Sequence, residues 1–214
     1  MEAGVAVRRA AAQEATQESA DARGRILVAG LAEFSTHGFD GTTLRQIAAR
    51  AGVQHQLIVY HFGTKLALWK AVVSDICAEH KTWLAGIERE AARVGAAAAL
   101  TRLVSTFVRF TARRPELHRM LTIEGGGDNA RLQWWIDEHV RGFYALSTRL
   151  IREAQASGAV RAGHPGRLHY GMIGIVTTSF VFEQEYRAMS RLNPFSAREI
   201  AEVTALARGF LGLA

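Results

Sequence analysis

The chain has 214 residues, 49% of them hydrophobic and 21% charged, with a formal net charge of +6. That length can bury a sizeable core in one or two domains. A single cysteine, Cys77, excludes an internal disulfide, and with no Cys/His spacing around it a structural zinc site is not expected either.

A reducing cytoplasm is the expected compartment for such a chain. The N-terminus lacks the apolar stretch of a signal peptide. The longest nearly uncharged segment, 171–182, is shorter than the roughly 20 residues that span a bilayer, so a soluble protein is expected.

Residues 1–20 are rich in Ala, Glu, Gln and Arg and read as a mobile N-terminal arm. Asp21 is placed to cap a first helix with the apolar stripe Ile26, Leu27, Gly30, Leu31 and Phe34, ending at His37–Gly38. Thr43-Leu44-Arg45-Gln46 has the pattern of a capping box, threonine at N-cap and glutamine at N3, opening a short helix to about Ala51. A second short helix is predicted over 54–61. Thr64 then caps a long fourth helix carrying Leu66, Trp69, Val72, Val73 and Ile76.

Five more helices are predicted over 96–114, 115–124, 128–157, 165–192 and 196–213. Pro115 suits the first position of its helix, and Ser196-Ala197-Arg198-Glu199 is a second capping box. No stretch alternates with period two, so the fold class is all-α. The expected organisation is an N-terminal three-helix helix–turn–helix domain over 21–67 and a C-terminal helical domain over 68–214. The fourth helix is the mechanical link between them.

Two short helices that cross steeply need a small residue where they touch, a glycine at the turn and apolar inner faces. Ala48, Gly52 and Val53 supply the contact, the turn and the plug, and Ile47, Ala51, Ile58 and Phe62 complete the faces. On spacing alone, a helical corner without DNA function fits equally well. The outer face favours nucleic acid. Gln54-His55-Gln56 would present polar side chains from the N-terminal half of a recognition helix to base edges. Arg45 could reach guanine or the backbone, Tyr60 and His61 phosphate oxygens. Lys65, in the first turn after Thr64, would share a phosphate with free backbone amides.

Net charge does not locate this function. Residues 1–75 hold eight Lys/Arg against seven Asp/Glu, so the surplus lies in the rest of the chain. The window between Asp40 and Asp75 nevertheless contains no acidic residue, while it carries Arg45, Arg50, Lys65 and Lys70. It could face phosphates without internal opposition.

The run Thr43-Leu44-Arg45-Gln46-Ile47-Ala48-Ala49-Arg50-Ala51-Gly52-Val53, followed by Ile58-Val59-Tyr60-His61-Phe62-Gly63-Thr64-Lys65, resembles the TetR family of transcriptional regulators. With the first helix included, the resemblance covers about 50 residues; beyond them it extends only to length and helix order. It implies phosphate contacts at Thr43, Tyr60, His61 and Lys65, and base-edge contacts at Arg45, His55, Gln56 and Leu57. Three positions depart from the family pattern. Val59 stands where a DNA-contacting tyrosine is usual, Gln54 where a better-capping Ser or Thr is common, and Gln56 where a small residue is frequent. An unusual operator is the consequence.

The resemblance further implies a C-terminal domain that binds a small-molecule effector and forms a homodimer through the last two helices. Tyr170, Ile173, Val176 and Phe180, interspersed with Gly171, Gly174, Thr177 and Thr178, suit close helix approach, and Ile200, Val203, Leu206 and Phe210 face them from the last helix. The alternative is that these faces pack only within one chain. Candidate pocket residues are Phe107, Phe110, Met120, Trp134, Trp135, His139, Phe143, Met172 and Phe180, with His118 and Glu124 as further polar groups, although an aromatic stripe serves a core equally well.

Together these features predict a ligand-responsive repressor, released from a pseudo-palindromic operator in double-stranded DNA by a small apolar effector. No cofactor, metal or membrane partner is expected. His164 and His169 are five apart, unsuitable for a metal pair on one helix face, and no catalytic motif occurs. The competing reading is a helical small-molecule-binding protein without DNA-binding activity.

Overall fold

The computed structural model describes residues 2–126 and 129–213, with side chains from residue 20 onward. The arm expected over 1–20 lies, Ala20 apart, outside the residues whose side chains are described. All regular elements among the described residues are helical, and none of these helices is long and apolar enough to cross a membrane. The chain divides into two compact units, Met1–Asp75 and Ile76–Ala214.

The first unit contains α1 (Glu2–Gly41), α2 (Leu44–Ala51), α3 (His55–Phe62) and the start of α4 (Lys65–Val94). Asp21 does not cap α1. It lies inside the helix between Ala20 and Ala22, both strong helix formers. Helical geometry breaks at Gly38, where φ is 69° and ψ 178°, a combination open to glycine because it has no Cβ. Ile26, Leu27 and Phe34 of α1, Ile47 and Ala48 of α2, Ile58 of α3, and Leu68, Trp69 and Val72 of α4 form the buried core. Gly30 admits Val72, whose methyl would stand 3.0 Å from a Cβ built at that position.

The second unit holds the remainder of α4, then α5 (Ala96–Arg113) and α6 (Pro115–Glu124), with Pro115 in the first turn as expected. The single helix predicted over 128–157 is divided. α7 (Ala130–Trp135) begins from an Asn129 cap whose side chain accepts from the Leu132 amide at 2.9 Å. A π-helix (Ile136–Val140) follows, closed by the Arg141 amide donating to the Ile136 carbonyl, and leads into α8 (Arg141–Ala156). The helix predicted over 165–192 also breaks, at Phe182 (φ −98°, ψ 39°), into α9 (Pro165–Val181) and α10 (Glu183–Ser190). No Gly or Pro marks either interruption.

In α11 (Ala197–Leu211) only half of the expected capping box forms. Ser196 Oγ accepts from the Glu199 amide at 3.2 Å, but the buried Glu199 carboxylate accepts from the Tyr186 hydroxyl at 2.8 Å. Tertiary bonding has displaced the local one.

The core of this unit is built around α5, where Leu100, Leu103, Val104 and Phe107 are essentially inaccessible. Burial of each such side chain contributes about 1.5–3 kcal/mol. Leu150 and Ile151 of α8, Met172, Val176 and Phe180 of α9, and Ala207 and Leu211 of α11 pack in the same cluster. α9 and α11 approach closely at Gly171, where an added Cβ would collide with the Phe210 ring. Gly171→Ala should therefore destabilise the chain by about 1–3 kcal/mol, read as a lower denaturant midpoint with an unchanged m-value.

Candidate nucleic-acid interface and ligand cavity

The helix–turn–helix is held by local hydrogen bonds that its sequence dictates. Thr43 Oγ1 accepts from the Gln46 amide at 3.2 Å, and the Gln46 side chain accepts from the Thr43 amide at 2.8 Å, so the capping box is complete. Gly52 takes the left-handed conformation (φ 65°, ψ 39°), which lets the Val53 amide reach the Ala48 carbonyl at 3.0 Å. Ile47, Ala48, Ala51 and Ile58 are buried between the helices. α3 opens from Gln54 without a side-chain cap, the weakness expected of glutamine there.

Thr43, Arg45, Gln54, His55, Gln56 and Tyr60 are exposed, Tyr60 at 79%. Leu57 is half-buried, and Val59 presents an aliphatic surface among them. His61 is also half-buried between the rings of Tyr60 and Phe62, and its Nε2 is enclosed without a hydrogen-bond partner.

Lys65 has a structural function that spacing could not reveal. Its ammonium donates to the carbonyls of Phe39 and Thr42, each at 2.9 Å, and stands 4.4 Å from the centre of the Phe39 ring. These carbonyls belong to the turn after the Gly38 break. Arg50 is likewise engaged, donating to Glu33 of α1 at 3.1 Å. Thr64 caps α4 as expected, accepting from the Ala67 amide at 3.1 Å.

The second unit encloses a cavity of about 320 Å³. Of the predicted pocket residues, Phe107, Phe110, Trp135, His139 and Phe143 line it. Met120, Met172 and Phe180 are buried but are not part of its wall, and Trp134 packs edge-on against His139. Of the further polar groups, His118 lines the cavity, while Glu124 is buried in an ion pair with Arg131 at 3.1 Å. Sequence reasoning did not assign Cys77 and His80 to the wall, because the second half of α4 had been read only as a link. It also missed His169 and Tyr170 on α9. Four histidines at one cavity, from four different elements, have no signature in sequence spacing.

Burial dominates the electrostatics. It lowers the imidazole of His80 to about 3, with smaller contributions from His118 and His139. His118 and His169 are held at about 4 by burial, as is His139, where Lys81 adds to the depression and Glu138 opposes it. The Cys77 thiol is pushed up to about 12 by burial. All four imidazoles are therefore neutral at pH 7, and Cys77 is a thiol rather than a reactive thiolate. Thr111 Oγ1 and His118 Nε2 lie 3.2 Å apart, and Ser147 Oγ and His169 Nδ1 2.6 Å apart.

Residues 26–72 match the model of the "Bacterial regulatory proteins, tetR family". The regulator RutR of Escherichia coli is 33% identical over 99 residues, 46% of this chain and 45% of the relative, so the match spans less than half the length of either. The regulatory protein RaaS of Mycobacterium tuberculosis is 47% identical over 58 residues, 27% of this chain and 26% of the relative. Among solved structures, AibR in complex with isovaleryl coenzyme A and operator DNA superposes with a TM-score of 0.72 at 13% identity, over 90% of this chain and 100% of its own. HlyIIR, a hemolysin II transcriptional regulator, gives 0.63 at 16% identity, over 88% and 97%. At these identities the structural matches establish the fold.

Two outcomes follow from this geometry. Lys65→Met keeps the aliphatic stem but removes two charge-assisted hydrogen bonds, and should lower stability by about 1.5–3 kcal/mol in denaturant titration. The histidines bind protons in the unfolded chain below about pH 6.5 but in the folded chain only near 3 to 4. Stability should thus fall as pH drops from about 6.5 towards 4, by about 1.4 kcal/mol per pH unit for each imidazole still neutral in the folded chain. Unfolding free energies that stay level between about pH 7 and 5 would contradict burial of these rings.

Proposed function

From the match of residues 26–72 to the TetR family of transcriptional regulators, we propose that the chain is a homodimeric, ligand-responsive repressor binding a pseudo-palindromic operator in double-stranded DNA. The observation that carries this reading is the α2–Gly52–α3 unit. Its inner face is packed, and the polar N-terminal half of α3 is exposed in a window without acidic residues. His55 and Gln56 are the proposed base readers, with Arg45 and Leu57 beside them. Thr43, Tyr60, His61 and Lys65 are the proposed phosphate contacts. For Lys65 this means one donor to phosphate while two hold carbonyls, which an ammonium with three protons permits. The dissimilar residues Val59 and Gln56 favour an operator unlike those of relatives.

Dimerisation is assigned to α9 and α11. Their faces are divided between two tasks: Val176, Phe180 and Val203 are committed to the core, while Tyr170 and Leu206 remain 64% and 63% exposed. Exposed apolar side chains on two neighbouring helices suit a four-helix interface between subunits. A two-fold dimer would then set its recognition helices about 34–36 Å apart, one turn of DNA.

The effector site is assigned to the aromatic cavity, and the effector to a small, largely apolar molecule. AibR, which shares the fold, was crystallised with both isovaleryl coenzyme A and operator DNA, which supports a small-molecule effector for this chain. α4 provides the coupling. It begins at Lys65, which grips the turn before α2, and further along it carries Cys77 and His80 into the cavity wall. Filling the cavity would move α4 and with it the recognition helices, weakening the operator complex. Regulators of this family are not enzymes, and no catalytic step is assigned.

Selection from random DNA should enrich a two-fold symmetric site whose affinity falls steeply with salt. Tyr60→Phe with Gln56→Ala should weaken that site by about 1–3 kcal/mol in fluorescence anisotropy without altering thermal stability. Failure of folded, dimeric protein to enrich any site would overturn the assignment in favour of a ligand-binding protein without DNA activity.

A further inference from the structure

The chemistry of the cavity wall defines its occupant more narrowly than apolarity does. Among the described residues, no Asp, Glu, Lys or Arg lines it. Its flat surfaces come from Phe107, Phe110, Trp135 and Phe143, and its polar groups are chiefly imidazoles from α4, α6, the π-helix and α9. Several of these imidazoles have unused hydrogen-bonding capacity. Among the described residues, the His80 ring has no side-chain hydrogen bond within the protein. His118 and His169 each use a single ring nitrogen, on Thr111 and Ser147. A ring nitrogen that faces the cavity without a protein partner is available to bond a ligand group. A neutral imidazole offers one donor and one acceptor, so it matches a hydroxyl or a carbonyl equally well.

Resting on the reading of this cavity as the effector site, we infer that its ligand is an uncharged, ring-bearing molecule carrying a hydroxyl or carbonyl group. Carboxylates, phosphates and organic cations are excluded. An anion would be buried with no cation in the wall, and a cation with no carboxylate. The aromatic faces could attract a cation, but no described carboxylate lines the wall to pair with it; Lys81, which acts on Cys77 and His139 from outside the wall, is exposed and solvent-screened towards either charge. The planar walls instead suit stacking of a ring against Phe and Trp. The titratable groups facing the ligand are Cys77 and His80 from α4, His118 from α6, His139 from the π-helix, and His169 and Tyr170 from α9. Lys81 and Glu138 are the charged neighbours acting from outside the wall. Burial keeps the cysteine and histidines in their neutral forms, so recognition is insensitive to pH near neutrality.

The test uses one ring system with four substituents: naphthalene, 2-naphthol, 2-naphthoate and 2-naphthyltrimethylammonium, titrated calorimetrically into the full-length chain. The expected result is one 2-naphthol per chain, bound roughly tenfold more tightly than the anion or the cation and several-fold more tightly than naphthalene. Its affinity should be the same at about pH 6 and about pH 8, where the phenol itself stays protonated. Thr177→Trp, which fills the cavity from α9, should abolish binding. His80→Phe should narrow the preference for naphthol over naphthalene and His80→Gln should restore it, with each variant's helical content verified.

Equal or tighter binding of naphthoate or the ammonium compound overturns the charge assignment. Absence of binding by every probe, or naphthol binding unaffected by Thr177→Trp, overturns the cavity as the ligand site. Operator selection is read separately on ligand-free protein. A failure confined to the probes therefore leaves the DNA reading standing, and a failure confined to operator selection leaves the cavity assignment standing.

Discussion

The helix–turn–helix unit depends on the grip of one ammonium group on two carbonyl oxygens. Gly38 breaks α1, and beyond it the Phe39 carbonyl accepts only a long 3.4 Å bond from the Thr42 amide, while the Thr42 carbonyl accepts from Lys65. Buried or half-buried carbonyls require a donor. Lys65 reaches back from the first turn of α4 to supply one, its charge also resting over the Phe39 ring. That contact fixes where α2 starts, the Thr43 capping box fixes its direction, and Gly52 fixes the angle at which α3 leaves. The capping box and the Gly52 turn are local, whereas the Lys65 contact joins residues more than twenty apart. Together they hold a polar helix face in one orientation with few apolar residues beneath it, which suits a domain whose outer side chains must remain available.

The second unit solves a different problem. α5 is enclosed by α8, α9 and α11, and close approach at Gly171 lets Phe210 pack against α9. Such packing leaves little space, yet a cavity persists beside Phe107 and Phe143, with imidazoles packed on the aromatic rings of its wall. Burial of these imidazoles disfavours their charged forms. Cys77 shares this environment, which suppresses its nucleophilicity instead of enhancing it.

Much of the first unit was legible in the sequence because its determinants are short-range. Thr43 with Gln46, Gly52 before Val53, and Thr64 before Lys65 act within a few residues of each other. The role of Lys65 was not legible, since its partners lie more than twenty residues away and are backbone atoms with no residue-type signature. In the second unit, helix order could be read from prolines, glycines and apolar stripes. The π-helix and the break at Phe182 could not, because both lack a Gly or Pro to announce them. The cavity was partly legible. Phe107, Phe110, Trp135, His139 and Phe143 stood out as aromatic or polar residues on predicted helices. His80 and His169 carried no signal of it, because the wall forms only where separate helical segments converge. Tertiary bonding also overrode a local motif at Glu199, which Tyr186 draws away from its capping box.

The π-helix at Ile136–Val140 also bears on how such a protein could change over generations. A π-turn is in effect an α-helix with one residue too many, and loss of that residue restores ordinary winding. Because each residue of an α-helix advances by about 100°, one deletion there would rotate α7 relative to α8 without disturbing the winding of either. The side chains turned into the cavity from Leu132 and Trp135 would be exchanged for a neighbouring set, while His80, His118 and His169 stayed in place. A single codon lost or gained in this stretch could thus rewrite what the cavity accepts. The helix–turn–helix unit, which ends at Asp75, would be left unchanged.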